Sequence, residues 1–179
     1  MMYAVAFGID KFVLNNLCED ASGAYTTPAG GFTSASNVNE IMANLISKVA
    51  GFEDTYKGLY LVIENTDLVG FAIAGATNGF NIADATIRNG FMNEWMGVQI
   101  YVVRSGTFVS ATLGTTTVTN SGHRVFGVKG VSTYASPRGM QYEEKGVTGK
   151  TGKEIVVFGL VGFKLWAQKA ALTVDITLA

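Results

Sequence analysis

One cysteine, Cys18, and one histidine, His123, occur in 179 residues, with only two prolines. A lone cysteine excludes an intrachain disulfide and a cysteine-based zinc site, and a lone histidine excludes a multi-histidine metal centre. Charge is also scarce, at 15% of residues against about 25% in a typical soluble domain. The 13 basic and 14 acidic residues nearly cancel, leaving a formal charge of -1. The basic residues are scattered from Lys11 to Lys169, and the tightest group, Lys145, Lys150 and Lys153, shares its stretch with Glu143, Glu144 and Glu154. Neutralising nucleic-acid phosphates needs clustered positive charge, so a clamp of that kind is not indicated. No apolar run reaches the length of a membrane span. The first residues do not read as a secretion signal, because Asp10 and Lys11 interrupt their apolar character. A reducing compartment is the simplest reading of the cysteine count.

What remains is apolar and rich in glycine: 48% hydrophobic residues and 22 glycines. A surface with few ions must consist of Ser, Thr, Asn and Gly or must face another chain. Low charge density also reduces the desolvation that accompanies burial against a partner. Val5, Ile9, Phe12, Val13 and Leu17 recur at helical spacing and predict a helix over 2–20. Residues 24–36, with Pro28, Gly30 and Gly31, read as a loop. A second helix is expected over 37–50, with Asn37 as cap, Glu40 three residues later, Lys48 in the last turn and Gly51 as stop. Residues 59–63 form a β-prone run, and 67–73 a short helix capped by Asn65 or Thr66 and weakened by Gly70. The stretch 75–97 reads as irregular, with helical turns near 83–87 and 92–96. Further strands are expected at 98–103, 125–131, 140–144, 154–166 and 172–178, with a threonine-rich hairpin or loop over 107–120 and a turn over 146–152. Helices lead and strands follow, which gives an α+β class and no repeat.

Catalytic readings fail on spacing. Gly149-Lys150-Thr151 resembles a phosphate loop, but the glycine required five positions before Gly149 is Glu144. His123 has no serine or acid singled out beside it in sequence, and no Gly-x-Ser-x-Gly elbow exists. Cys18 reads as a small buried hydrophobe, since Glu19 and Asp20 disfavour a thiolate. Asp67, Asp84, Glu94 and Asp175 are too isolated to propose an acid–base pair. Trp166 reads as core with Phe163, and Trp95, among Phe91, Met92 and Met96, as an interface residue.

Four segments carry a family resemblance. They are Ala6-Phe-Gly-Ile-Asp10-Lys11 with Pro28-Ala-Gly-Gly-Phe32; the 37–50 helix followed by 58–64; Arg88-Asn-Gly-Phe through Trp95 to Val103; and His123 through Tyr134 with 140–144 and 154–178. In this order they resemble the HK97-fold major capsid proteins of tailed phages and prophages, over nearly the whole chain. The resemblance implies an HK97-like fold: a wedge with a spine helix packed on a sheet, plus an axial mixed α/β domain. It divides the chain into a peripheral helical part (1–56, spine helix near 37–50), an axial part (57–139), and return strands shared between the two (140–179). No counterpart of the family's N-terminal arm or E-loop is expected, which implies a fragment, a processed product or a reduced relative.

On the same resemblance the expected role is a structural subunit of a capsid shell enclosing double-stranded DNA, located in the virion and made in the bacterial cytoplasm. It implies no catalysis, cofactor or metal and no membrane. The expected partners are copies of the chain in pentamers and hexamers, a scaffold or prohead protease, and packaged DNA nearby without specific contacts. The segments 75–90 and 106–122 are placed nearest the symmetry axes, with Asn78, Asn89, Phe91, Trp95, Thr115 and Thr116 as interface candidates. The alternative is a small α+β enzyme or binding module without an identifiable motif. An enzyme would show a deep pocket with convergent polar groups, and a nucleic-acid binder a continuous positive face.

Overall fold

The computed structural model describes residues 2–52, 58–77, 91–113, 116–146 and 153–179. A six-stranded mixed sheet organises the chain, in the order β1–β10–β7–β2–β4–β3. Its strands are β1 (Gly23–Thr26), β2 (Leu59–Glu64), β3 (Phe91–Trp95), β4 (Val98–Val103), β7 (His123–Val128) and β10 (Thr173–Thr177). β1 runs parallel to β10 and β2 parallel to β4, and the remaining pairs are antiparallel. Two separate hairpins complete the strands: β5–β6 (Ser110–Leu113, Thr116–Thr119) and the long β8–β9 (Ser132–Gly146, Lys153–Leu165). The sheet therefore takes strands from the front, the middle and the end of the chain.

Strand periodicity of two separates the faces. Leu61, Ile63, Val98, Ile100, Phe126, Val174 and Ile176 are fully buried and point one way. Against that face lie α2 (Ala35–Val49) and α3 (Leu68–Thr77), with a 3-10 turn at Gly31–Thr33 between them. α2 contributes Val38, Ile41, Met42, Leu45 and Val49, an i, i+3, i+4, i+7 stripe without exposed members. Phe71 of α3 stacks on Phe32 at 5.6 Å and meets Trp95 edge-on at 5.7 Å, closing the core above β3 and β4. The opposite face carries Tyr60, Val62, Val125 and Asp175, and α1 (Met2–Asp20) covers part of it. Leu17 and Cys18, near the end of α1, are buried, whereas its first two turns run out along the β8–β9 hairpin.

Several expectations need correction. Residues 24–36 are not all loop: β1 forms there because β10, 150 residues further on, supplies the partner edge. Residues 92–95 are strand, not helical turn. Met96 and Gly97 both take positive φ, 52° and 80°, and join β3 to β4 through a two-residue turn in which Trp95 pairs with Val98. α2 starts earlier than expected, after Ser34, and Asn37 is no cap; its amide donates to the Ala29 carbonyl at 2.9 Å instead. The strand expected at 140–144 is the outer part of the 15-residue β8, and the expected 83–87 turn and most of the 146–152 turn lie outside the described residues. The first helix, β2, β4, β7, β9 and β10 lie where sequence periodicity puts them, within a few residues.

Gly70 shows how closely the helical layer is packed. A Cβ built there would lie 1.9 Å from the Phe32 carbonyl oxygen, so α3 and the Gly31–Thr33 turn touch backbone to backbone. Relief would require separating Phe32 from Phe71. Gly70→Ala is expected to destabilise the fold by about 2–3 kcal/mol, as overpacking does; urea unfolding followed by circular dichroism checks it. A loss under about 0.5 kcal/mol, the size of an ordinary surface substitution, would contradict this packing.

Candidate functional site

The most concentrated polar chemistry lies at the end of β2, where a buried ionic knot replaces the solvent shell of three charged groups. Arg124 on β7 donates from Nε to Asp67 Oδ2 at 2.5 Å and from Nη2 to Asp67 Oδ1 and Glu64 Oε2, each at 3.3 Å. Its Nη1 donates to the His123 carbonyl at 2.6 Å, and its guanidinium lies over the Phe108 ring at 5.4 Å. Glu64 Oε1 accepts the backbone N–H groups of Gly106, Thr107 and Phe108 at 3.0, 3.0 and 3.2 Å. Asp67 Oδ2 accepts the Glu64 N–H at 3.0 Å, forming a capping box that opens a 3-10 turn (Asn65–Asp67) and then α3. All three charged groups are buried, and every one is met by opposite charge or directed N–H groups.

The 104–109 loop that wraps Glu64 also binds α1. Asn15, fully buried, donates to the carbonyls of Lys11 and Thr107 at 2.7 and 2.8 Å and accepts the Val109 N–H at 3.1 Å. Asn120 then donates to the Asn15 carbonyl at 2.9 Å. Helix, loop and sheet are thus joined by satisfied polar contacts rather than by apolar packing alone.

His123 and Asp175 make a second, half-buried pair. His123 Nδ1 donates to the two carboxylate oxygens of Asp175 at 2.8 and 2.9 Å, and the Cys18 thiol reaches the same carboxylate. A histidine oriented by an aspartate is half of a nucleophile-activating arrangement. Here the third group is Cys18, and burial followed by the neighbouring Asp175 charge pushes its thiol pKa up, away from thiolate chemistry. Among the described residues no three His, Cys, Asp or Glu side chains come together to hold a metal ion. No helix there is long and apolar enough to cross a membrane.

Three of the six residues expected at interfaces are among the described residues. Asn78, Asn89 and Thr115 lie outside the described residues, Phe91 opens β3, and Thr116 opens β6. The two tryptophans exchange the roles expected from sequence. Trp95 is 9% exposed and sits in the core, whereas Trp166 is 48% exposed at the root of the long hairpin, its Nε1 donating to Thr133 Oγ1 at 2.9 Å. The 106–122 segment is also split. Thr107, Phe108, Val118 and Asn120 are buried anchors, and the exposed threonines Thr112 and Thr117 pair across β5–β6. Glu64, Arg124 and Asn15 were missed by sequence reasoning. The one local signal is Glu64-Asn-Thr-Asp67, an acid pair spaced by three directly after an apolar strand.

No protein-family model matches the sequence, and no curated protein does. Solved structures do match. A chain of Mycobacterium phage Che8 superposes with a TM-score of 0.70 at 16% identity, over 98% of this chain and 60% of that one. A chain from the capsid of the cyanophage P-SCSP1u gives 0.66 at 13% identity, over 100% of this chain and 64% of that one. The mature capsid of bacteriophage PhiM1 gives 0.53 at 12% identity, over 87% and 51%. At such identities the likeness is one of fold, and the fold is the HK97-type architecture of phage capsid structures. This chain spans less than two thirds of each of those three chains.

Two measurements test the site as described. Arg124→Met leaves two carboxylates buried without a cation and is expected to remove about 3–5 kcal/mol of stability; a loss below about 1 kcal/mol in urea unfolding would show the knot to be dispensable. Burial also raises the Tyr60 hydroxyl, as it raises Cys18. An acid whose folded pKa is raised holds its proton in the native state, so its stabilisation is complete below the unfolded pKa and declines above it. The unfolded values are about 8.5 for Cys and about 10 for Tyr. Stability is therefore expected to fall from near pH 8.5 upward and more steeply beyond pH 10, with Cys18→Ala abolishing the first decline. A flat profile from pH 8 to 10 in the unsubstituted protein would contradict it.

Proposed function

We infer that the chain is a structural subunit of a phage or prophage capsid shell enclosing double-stranded DNA. The observation carrying this reading is the match of fold over 98–100% of the chain to a phage chain and to a solved phage capsid. The polar chemistry agrees with it. The buried charges of Glu64, Asp67 and Arg124 are spent on one another and on backbone N–H groups, which makes a stiff joint. A subunit that repeats the same contacts many times needs that stiffness more than it needs a pocket. The scarcity of charge, 15% of residues, favours burial against neighbouring copies.

On this reading the subunit associates with itself into pentamers and hexamers, with a scaffold or prohead protease as transient partners and DNA held inside without a basic clamp. The axial part, 57–139, places the 75–90 segment and the exposed β5–β6 hairpin toward the symmetry axes, with Asn78, Asn89, Phe91, Thr115 and Thr116 at the contacts. Trp95 supports that region from within, through Phe71. Virion localisation after synthesis in the bacterial cytoplasm follows from the same reading.

Negative-stain electron microscopy of the complete gene product, alone and with its neighbouring genes co-expressed, tests the proposal. Rings or shells of uniform diameter are the expected result. Monodisperse monomers under both conditions would remove the capsid reading.

A further inference from the structure

Two adjoining open clefts of about 440 and 410 Å³ share Ile9 and Tyr134; the first lies between α1, β2 and β4 with Tyr134 at its edge, and the second between α1 and the β8–β9 hairpin. The first holds Asp10 among Val13, Leu14, Val62 and Tyr101; the second holds Arg138 beside Val5 and Val161. Neither charge has an ion-pair partner among the described residues. Lys11 Nζ and the Arg104 guanidinium both lie over the Phe7 ring, at 4.8 and 5.3 Å. Partial burial raises the Asp10 carboxyl above its ordinary value, as expected where no cation offsets the lost solvent. The second cleft is open because Gly8 and Gly139 line it, and a Cβ at either would touch nothing within 4 Å. Nothing inside the chain calls for glycine there.

Opposite charges in two adjoining clefts, not paired with each other in the molecule, are complementary to the same surface turned by a two-fold axis. We propose that the α1–hairpin cleft is a docking face for a second copy of this chain, Arg138 of each copy entering beside Asp10 and Tyr134 of the other. A guanidinium suits that position, since it pairs with a carboxylate and stacks on an aromatic ring together. The glycines admit the neighbouring backbone closely. Tyr3 on α1 and Tyr142 and Leu160 on the hairpin are exposed apolar groups on the same two elements, and a stable contact requires roughly 800 Å² per partner. The inference deepens the shell-subunit reading and rests on it for the choice of partner.

Sedimentation equilibrium of the chain over a range of concentrations, for the unsubstituted protein, Asp10→Asn, Arg138→Gln and the swap Asp10→Arg/Arg138→Asp, tests it. Each single change is expected to weaken self-association by roughly tenfold or more, and the swap to restore it. Both side chains lie at the surface, and thermal unfolding of each variant shows whether the fold is kept. A monomeric unsubstituted chain, an Asp10→Asn variant that associates undiminished, or a swap no better than the single changes would overturn the proposal. Charge-dependent dimers from a gene product that never forms shells would sink the capsid reading alone. Shells from a gene product whose self-association ignores Asp10 would sink this inference alone.

Discussion

Arg124 holds the structure together at a point where apolar packing alone could not. Its guanidinium joins β7 to the N-terminal turn of α3 through Asp67 and to the end of β2 through Glu64, and it roofs Phe108 of the connecting loop. Removing two carboxylates from water is expensive unless every oxygen is met. Here that condition is fulfilled by three backbone N–H bonds and three from Arg124 to the two carboxylates, together with the bond from the Glu64 backbone N–H. The gain is geometric. The 104–109 loop, which buries Phe108, is also held in one place because displacing it would strand a buried carboxylate. Asn15 extends the same logic to α1, whose buried end is tied to that loop.

This arrangement divides the molecule by the kind of force that acts on it. The six-stranded sheet with α2 and α3 is a conventional core, closed by Phe32, Phe71 and Trp95. The β8–β9 hairpin is different. Two strands alone are marginal in water, and beyond Val131 and Leu165 its side chains are largely exposed, with Tyr142 77% accessible. It is secured at the root by Trp166, whose backbone N–H donates to the Val131 carbonyl, and along one side by α1. Salt bridges near the tip, such as Lys153–Glu144 at 2.8 Å, are solvent-exposed and contribute little. Most of the hairpin's order therefore comes from what leans on it.

Sequence periodicity reveals elements whose evidence is local and misses those whose evidence is distant. The apolar stripe of α2 and the β-branched runs of β2 and β7 are legible because each carries its own pattern. β1 is not, since Gly23–Thr26 becomes a strand only beside β10. β3 reads as irregular because its pairing depends on the Met96–Gly97 turn, and methionine is an uncommon residue at positive φ. The tryptophans fail as guides for a related reason: neighbours in sequence do not say which side of a strand faces Phe71. The polar knot is the least legible part. Glu64, Asp67 and Arg124 are separated by up to sixty positions, and a buried ion pair leaves no period in the sequence.

On the shell-subunit reading, a stiff core beside an exposed hairpin is a sensible distribution. Contacts made through the core would have to disturb the knot, and stranding one charge there is costlier than any single surface contact is favourable. Contacts made through α1 and the hairpin disturb little, because those surfaces have few internal partners. Order gained there on association comes from the neighbour, while the sheet keeps the direction in which each contact points. On the same reading, a two-fold contact on that face joins two copies, and the contacts that repeat around a ring fall on other faces. The knot supplies no binding energy to such an assembly. Through the loop that it holds and Asn15, it fixes where the buried end of α1 lies against the sheet.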